Sequence, residues 1–150
     1  NYRKEHKMIL DKELVFSDSQ AVTAAAASTN VLDLSAVRNV GVGENLYLVV
    51  ACTVAMTDGS SDSTLAVTIE TDDNESFTTA VARQTVGTFA ALSAIGTRYI
   101  VRLQPEVLNE RYMRVYYTPA SGNLTTGSFD AFICHGIQAA TAYADGITIQ

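Results

Sequence analysis

Apolar and polar positions alternate with a period of two along most of this chain, and no segment holds a helical period for three turns. In Thr64–Thr71 (TLAVTIET) the residues Leu65, Val67 and Ile69 share one face, opposite Ala66, Thr68 and Glu70. In Arg98–Pro105 (RYIVRLQP) the pattern sets Tyr99, Val101 and Leu103 against Ile100 and Arg102. Residues Asn45–Met56 (NLYLVVACTVAM) are apolar on both faces, which suits a central strand between two layers. ELVF, AVTAAAAS, SFTTAVARQ, Tyr112–Thr118 and FDAFICHGI complete a set of about eight strands. The alanines Ala24–Ala27 have good helix propensity, but the flanking Val22, Thr23, Ser28 and Thr29 favour a strand or extended edge. GVGEN, TDGSSDS, TDDNES, TPASGN and TTGS lie between the runs and supply turn residues, and Pro119 is expected to end its strand. LQPEVLNER has room for one helical turn after Pro105. Short antiparallel strands at this spacing read as a jelly-roll-like β-sandwich in one domain, residues 8–150, with a barrel as the alternative.

Size and charge then narrow the function. At 150 residues the chain is one domain, and its 17 % charged content is low against the usual quarter or so. Weakly polar surface is therefore available for contact with other subunits. Net charge is −6, unevenly placed: Arg3, Lys4 and Lys7 against Glu5 make residues 1–7 a basic leader of +2, disordered or non-native, which leaves −8 on the rest. A body this acidic repels a phosphate backbone, so no nucleic-acid partner is expected. Runs of ~18 apolar residues are missing, so no membrane partner is expected either. Cys52 and Cys134 sit in apolar runs, as small buried side chains do, and a reducing cytoplasm is the simpler origin.

Candidate chemistry is sparse. His6 and His135 are the two histidines. Cys134 and His135 are adjacent, but neighbours on a strand point to opposite faces and cannot easily meet. Asp72-Asp73-Asn74-Glu75 offers hard oxygens to Ca²⁺, and equally makes an ordinary hairpin turn. No set of nucleophile, base and metal ligands emerges, so no enzyme, catalytic residue, metal site or cofactor is expected. The unusual feature is Tyr112–Tyr117: Met113, Val115 and Tyr117 form a core face, while Tyr112, Arg114 and Tyr116 form a face that is neither core nor ordinary surface. Arg and Tyr bury area while keeping a polar handle, as interface residues do. Tyr112, Arg114 and Tyr116, with Arg102 as a strand neighbour, are the candidate contact residues; packing under a loop or across the second sheet is the alternative.

From Met8 the chain reads MILDKELVFSDSQAVTAAAASTNVLDL, then GVGENLYLVV, TLAVTIETDDNESF, RYIVRLQP, NERYMRVYYT and TTGSFDAFI. In that order these segments resemble the capsid cement (decoration) proteins of tailed phages, the small jelly-roll type found with podophage-like capsids. The resemblance covers about residues 8–145 and rests on pattern over length. It implies a non-enzymatic virion protein, made in the bacterial host cytoplasm and placed on the capsid exterior. The implied partners are the phage major capsid protein, whose subunits it bridges, and the chain itself, as a dimer or trimer. A carbohydrate-binding β-sandwich module on a virion is the alternative reading.

Overall fold

The computed structural model describes residues 12–36, 43, 45–105 and 108–135. The expected leader, most of the GVGEN turn and Glu106–Val107 after Pro105 lie outside the described residues. A single 3-10 turn, Lys12–Leu14, precedes β1 (Val15–Ala21), β2 (Ala26–Ala27), β3 (Leu32–Asp33), β4 (Leu46–Thr57), β5 (Thr64–Asp72), β6 (Val81–Phe89), β7 (Arg98–Arg102), β8 (Tyr112–Ala120) and β9 (Thr126–His135). The strands form two antiparallel sheets. The first has the order β1-β9-β4-β7; in the second, β2 and β3 both lie along β8, followed by β5 and β6. Because β2 and β3 are two pieces of one edge strand, eight strand positions result, in the crossed-over order of a jelly roll. Ala26 and Ala27 form that edge, opposite Tyr117 and Tyr116.

Alternation builds the core. Leu48 and Val50 of β4, Leu65 and Val67 of β5, and Val115 and Tyr117 of β8 are fully buried between the sheets. Each such side chain contributes about 1.5–3 kcal/mol relative to exposure. The Phe89 ring sits 4.9 Å from Tyr99 at an interplanar angle of 87° and 5.0 Å from Phe129, so one aromatic stack ties β6, β7 and β9 together. The Tyr117 hydroxyl shares a hydrogen bond of 2.9 Å with Ser17 Oγ across the core. Burial pushes the Tyr117 phenol up to about 12, with the Ser17 bond pulling the other way. At Gly87 an added Cβ would lie 2.5 Å from the Tyr99 ring, so this position needs the bare backbone.

Both open seams of the sandwich are joined by a glutamine. Gln84 of β6 donates to the Arg102 carbonyl at 2.7 Å and accepts from the Gln104 amide at 3.1 Å. On the opposite seam, Gln20 of β1 donates to the Ala27 carbonyl and accepts from the Thr29 amide, both at 2.8 Å. Each side-chain amide thus meets the C=O of one residue and the N–H two residues on, as a strand residue would.

Three expectations are corrected. Pro119 does not end its strand: β8 continues to Ala120 and Pro119 stands opposite Leu65. Beyond Tyr117 no β2 residue lies alongside, so the missing N–H is tolerated. TTGS is largely strand, because β9 starts at Thr126. The strand expected over SFTTAVARQ lies further on, at Val81–Phe89, with Ser76–Ala80 in the preceding loop.

Candidate contact surfaces

On β8, Met113, Val115 and Tyr117 point into the core, so Tyr112, Arg114 and Tyr116 lie on the outer face of the second sheet. Arg114 stands opposite Glu70 in the β5–β8 register. Its Nε and Nη2 both donate to Glu70 Oε2, at 2.8 and 2.7 Å. The loop after β5 then closes over the pair: the guanidinium carbon lies 4.2 Å from the Phe77 ring centroid and 5.2 Å from that of Tyr116. Phe77 and Tyr112 are 8 % and 9 % exposed, although both lie on the outward side. At Arg114 this face therefore packs under the protein's own loop.

The loop is held by its acidic residue. Asp72, 1 % exposed, accepts from the Asn74 amide at 3.0 Å, the Thr79 amide at 2.7 Å and Thr79 Oγ1 at 3.0 Å. Burial acts to raise the Asp72 carboxyl, but these bonds hold it below the usual carboxylate range. Asp73 is raised, chiefly by its hydrogen bond with Asp72. The Asp72–Glu75 segment thus does turn chemistry, and no group of three His, Cys, Asp or Glu converges for a metal among the described residues. Two further pairs brace the same end: Arg83 with Glu110 at 2.9 Å, and Arg111 with Asp33 at 2.8 Å. Glu110 also accepts from Thr71 Oγ1. The Arg111 guanidinium holds the Asp33 carboxyl down to about 2.

Arg102 is not a strand neighbour of these residues. It ends β7, which pairs with β4 in the first sheet, whereas β8 belongs to the second. There Arg102 stands opposite Tyr47. Cys134 and His135 close β9, half-buried and exposed respectively, and burial pushes the Cys134 thiol up.

The outer face of the first sheet also carries apolar residues, whose signal in the sequence was the apolar run of β4. β4 is central within its sheet, between β9 and β7, and among the described residues a second sheet packs on one side of it alone. Its outward residues Tyr47, Val49 and Ala51 are half-buried. In register with Val49 lie Ile100 on β7 and Phe132 on β9, and Phe132 pairs in turn with Val15 on β1. An apolar row Ile100–Val49–Phe132–Val15 therefore crosses the whole sheet on the side away from the core. Phe132 is buried, yet it is not part of the core cluster. Arg98 and Arg102 flank the row on the β7 edge. Asp130 flanks it on β9, opposite Ala51 and bonded to the Ser19 amide at 2.6 Å, and the exposed Glu13 and Asp18 lie along the β1 edge.

A second apolar feature lies at the sandwich end formed by the β4–β5, β6–β7 and β8–β9 loops. Leu92 and Ile95 are 52 % and 68 % exposed there. Their loop is tied to β4 by bonds from the Met56 amide to the Ser93 carbonyl and from the Gly96 amide to the Cys52 carbonyl. Among the described residues no helix is long and apolar enough to cross a membrane.

No curated protein matches the chain. The model of the phage-type family Bbp16 matches residues 16–133, from β1 to β9. With every strand inside or overlapping that span, the chain belongs to the Bbp16 family.

Proposed function

We propose that this protein is a capsid cement protein: a structural, non-enzymatic component that binds the exterior of an icosahedral phage shell and bridges its major capsid subunits. The observation that carries this reading is the extent of the family match. It takes in the whole sandwich, so the phage-type module and the folded body are one and the same. The architecture suits the task. A clamp bridging two subunits gains from multivalency, because its second contact is effectively intramolecular, and rigidity keeps that gain. Here rigidity comes from a continuous core, two glutamine-joined seams and charged side chains committed to one another. The protein is proposed to pair with itself as well as with the shell, without nucleic acid, membrane or cofactor.

The test is cosedimentation of the purified chain with shells lacking it, followed by challenge with heat or chelator. Saturable binding that raises the temperature of shell rupture supports the reading; no binding to empty or filled shells overturns it. A glycan array separates the carbohydrate-binding alternative, for which no geometry described above speaks.

A further inference from the structure

We infer that the sandwich end carrying Leu92 and Ile95 is the end that seats on the shell, in an apolar recess of the capsid subunits rimmed by cationic groups. The inference rests on the cement reading above and gives it a docking surface. Five large hydrophobics are exposed among the described residues, and three of them, Val54, Leu92 and Ile95, belong to this end. Val54 lies between Cys52 and Met56, the two β4 residues that bond to the loop of residues 90–97. Val31 and Val81 stand apart, on opposite edges of the second sheet: Val31 precedes Leu32 of β3, and Val81 opens β6. The loop is fixed in place. Besides its two bonds to β4 given above, the Cys52 amide donates to the Thr97 carbonyl at 2.8 Å, and the buried Ser93 donates its amide and hydroxyl to the Ala90 carbonyl. A rigid apolar knob loses little conformational freedom on binding. Leu92 is also held at a φ of +58°, in the left-handed region that crowds a side chain. The other bulky residue so held, Phe77, is buried over Arg114, whereas Leu92 keeps this backbone while more than half exposed. Strain kept at an exposed apolar side chain points to a contact outside the fold.

Charge and chain geometry select the occupant. The loops at this end, residues 22–25, 58–63, 90–97 and 121–125, carry the carboxylates Asp58 and Asp62 and no cation. Arg98, next in sequence, stands opposite Ala51 and has an interaction of its own. The ion pairs Arg83–Glu110, Arg111–Asp33 and Arg114–Glu70 lie toward the other end. Few charges around exposed apolar side chains match the core of an interface, and the two carboxylates complement a cationic rim on the partner. A second copy docked end to end would set Asp58 and Asp62 against the same carboxylates, which disfavours self-contact here. Neither terminal segment starts nearby. β1 begins at Val15 opposite Phe132, and β9 ends at His135 opposite Leu46, whereas Thr57 and Thr126 mark the knob's end. The ten residues of β9 span about 30 Å. Residues 1–11, although basic, and residues 136–150 would therefore have to run back along the sandwich to cover the knob.

The experiment is shell cosedimentation of the full chain and its variants, with urea unfolding as the folding control. Ile95→Asp, at an exposed position, is expected to keep the wild-type urea midpoint and to lose roughly 30-fold or more in shell affinity, as a central contact residue does. Leu92→Gly removes the side chain and relieves the left-handed backbone, so its midpoint should hold while shell affinity falls about 10-fold. Asp62→Lys should weaken binding at low salt, and less so at high salt. Accessibility is read with Ile95→Cys in a Cys134→Ser chain, whose remaining Cys52 is buried. A maleimide should modify the introduced thiol in the free, folded chain nearly as fast as in urea, and far more slowly on the shell. Slow modification of the free chain overturns the inference, by showing that a terminal segment or a second copy already covers the knob. Wild-type shell affinity in both Ile95→Asp and Leu92→Gly, or modification as fast on the shell as off it, also overturns it and leaves cementing in place. A wild type that ignores shells refutes cementing itself, and the docking end with it.

Discussion

Gly87 and Tyr99 show how much a single position decides here. The ring lies where a Cβ on residue 87 would sit, and its hydroxyl donates to the Thr88 carbonyl. Gly87→Ala is expected to lower stability by about 1–3 kcal/mol, the usual range for overpacking, read as a shift in the urea midpoint at unchanged slope. Shortening the ring in a Gly87→Ala/Tyr99→Leu chain should recover part of that loss, and a strictly additive pair would refute the clash. Arg114 carries a second residue-scale expectation. Arg114→Glu sets a new carboxylate against Glu70 beneath Phe77, so it should destabilise the fold before it alters any outer contact. Thermal melting separates the outcomes, because a fully stable Arg114→Glu chain would contradict the covered geometry. That Tyr112, Arg114 and Tyr116 are neither core nor solvated surface was legible from alternation. What covers Arg114 was not, because Phe77 reaches it through a loop closure that no local pattern encodes.

At the scale of elements, strands with unbroken alternation were readable and interrupted ones were not. β5 and β8 follow their patterns nearly residue by residue. β6 does not: register shifts near Val86 and Arg83, together with Gly87, break its period and hid Phe89 from view. The apolar-on-both-faces signal of β4 was real, but among the described residues a second sheet packs against one of its faces and not the other. The short β3 depends on a partner that is easily tested. Asp33 joins Arg111 across the β3–β8 pair, with its carboxyl depressed to about 2 by the Arg111 hydrogen bond, then the Ser35 amide bond. A depressed carboxyl stabilises the fold above its unfolded value near 3.9, and the contribution is lost as pH falls towards 2. Wild type should therefore lose stability faster than Arg111→Gln between about pH 4 and 2. Denaturant titrations across that window check it, and parallel curves would show that the pair is inert. Both side chains are 43 % exposed, so added salt should shrink the difference.

For the whole molecule, the number and class of strands were readable but their order was not, because every strand pairing except the β5–β6 hairpin joins distant parts of the sequence. β1 must find β9, and β4 must find both β9 and β7, before the first sheet exists. Contacts this non-local place folding in the millisecond-to-second range, and stopped-flow refolding completed within microseconds would contradict the topology. The paired glutamines have a mechanical consequence. Tension that tries to slide one sheet past the other loads Gln20 and Gln84 simultaneously, so rupture needs both clamps to let go together. With either one shortened to alanine, the sandwich would instead peel progressively from the weakened side, at a lower force under the same pulling rate.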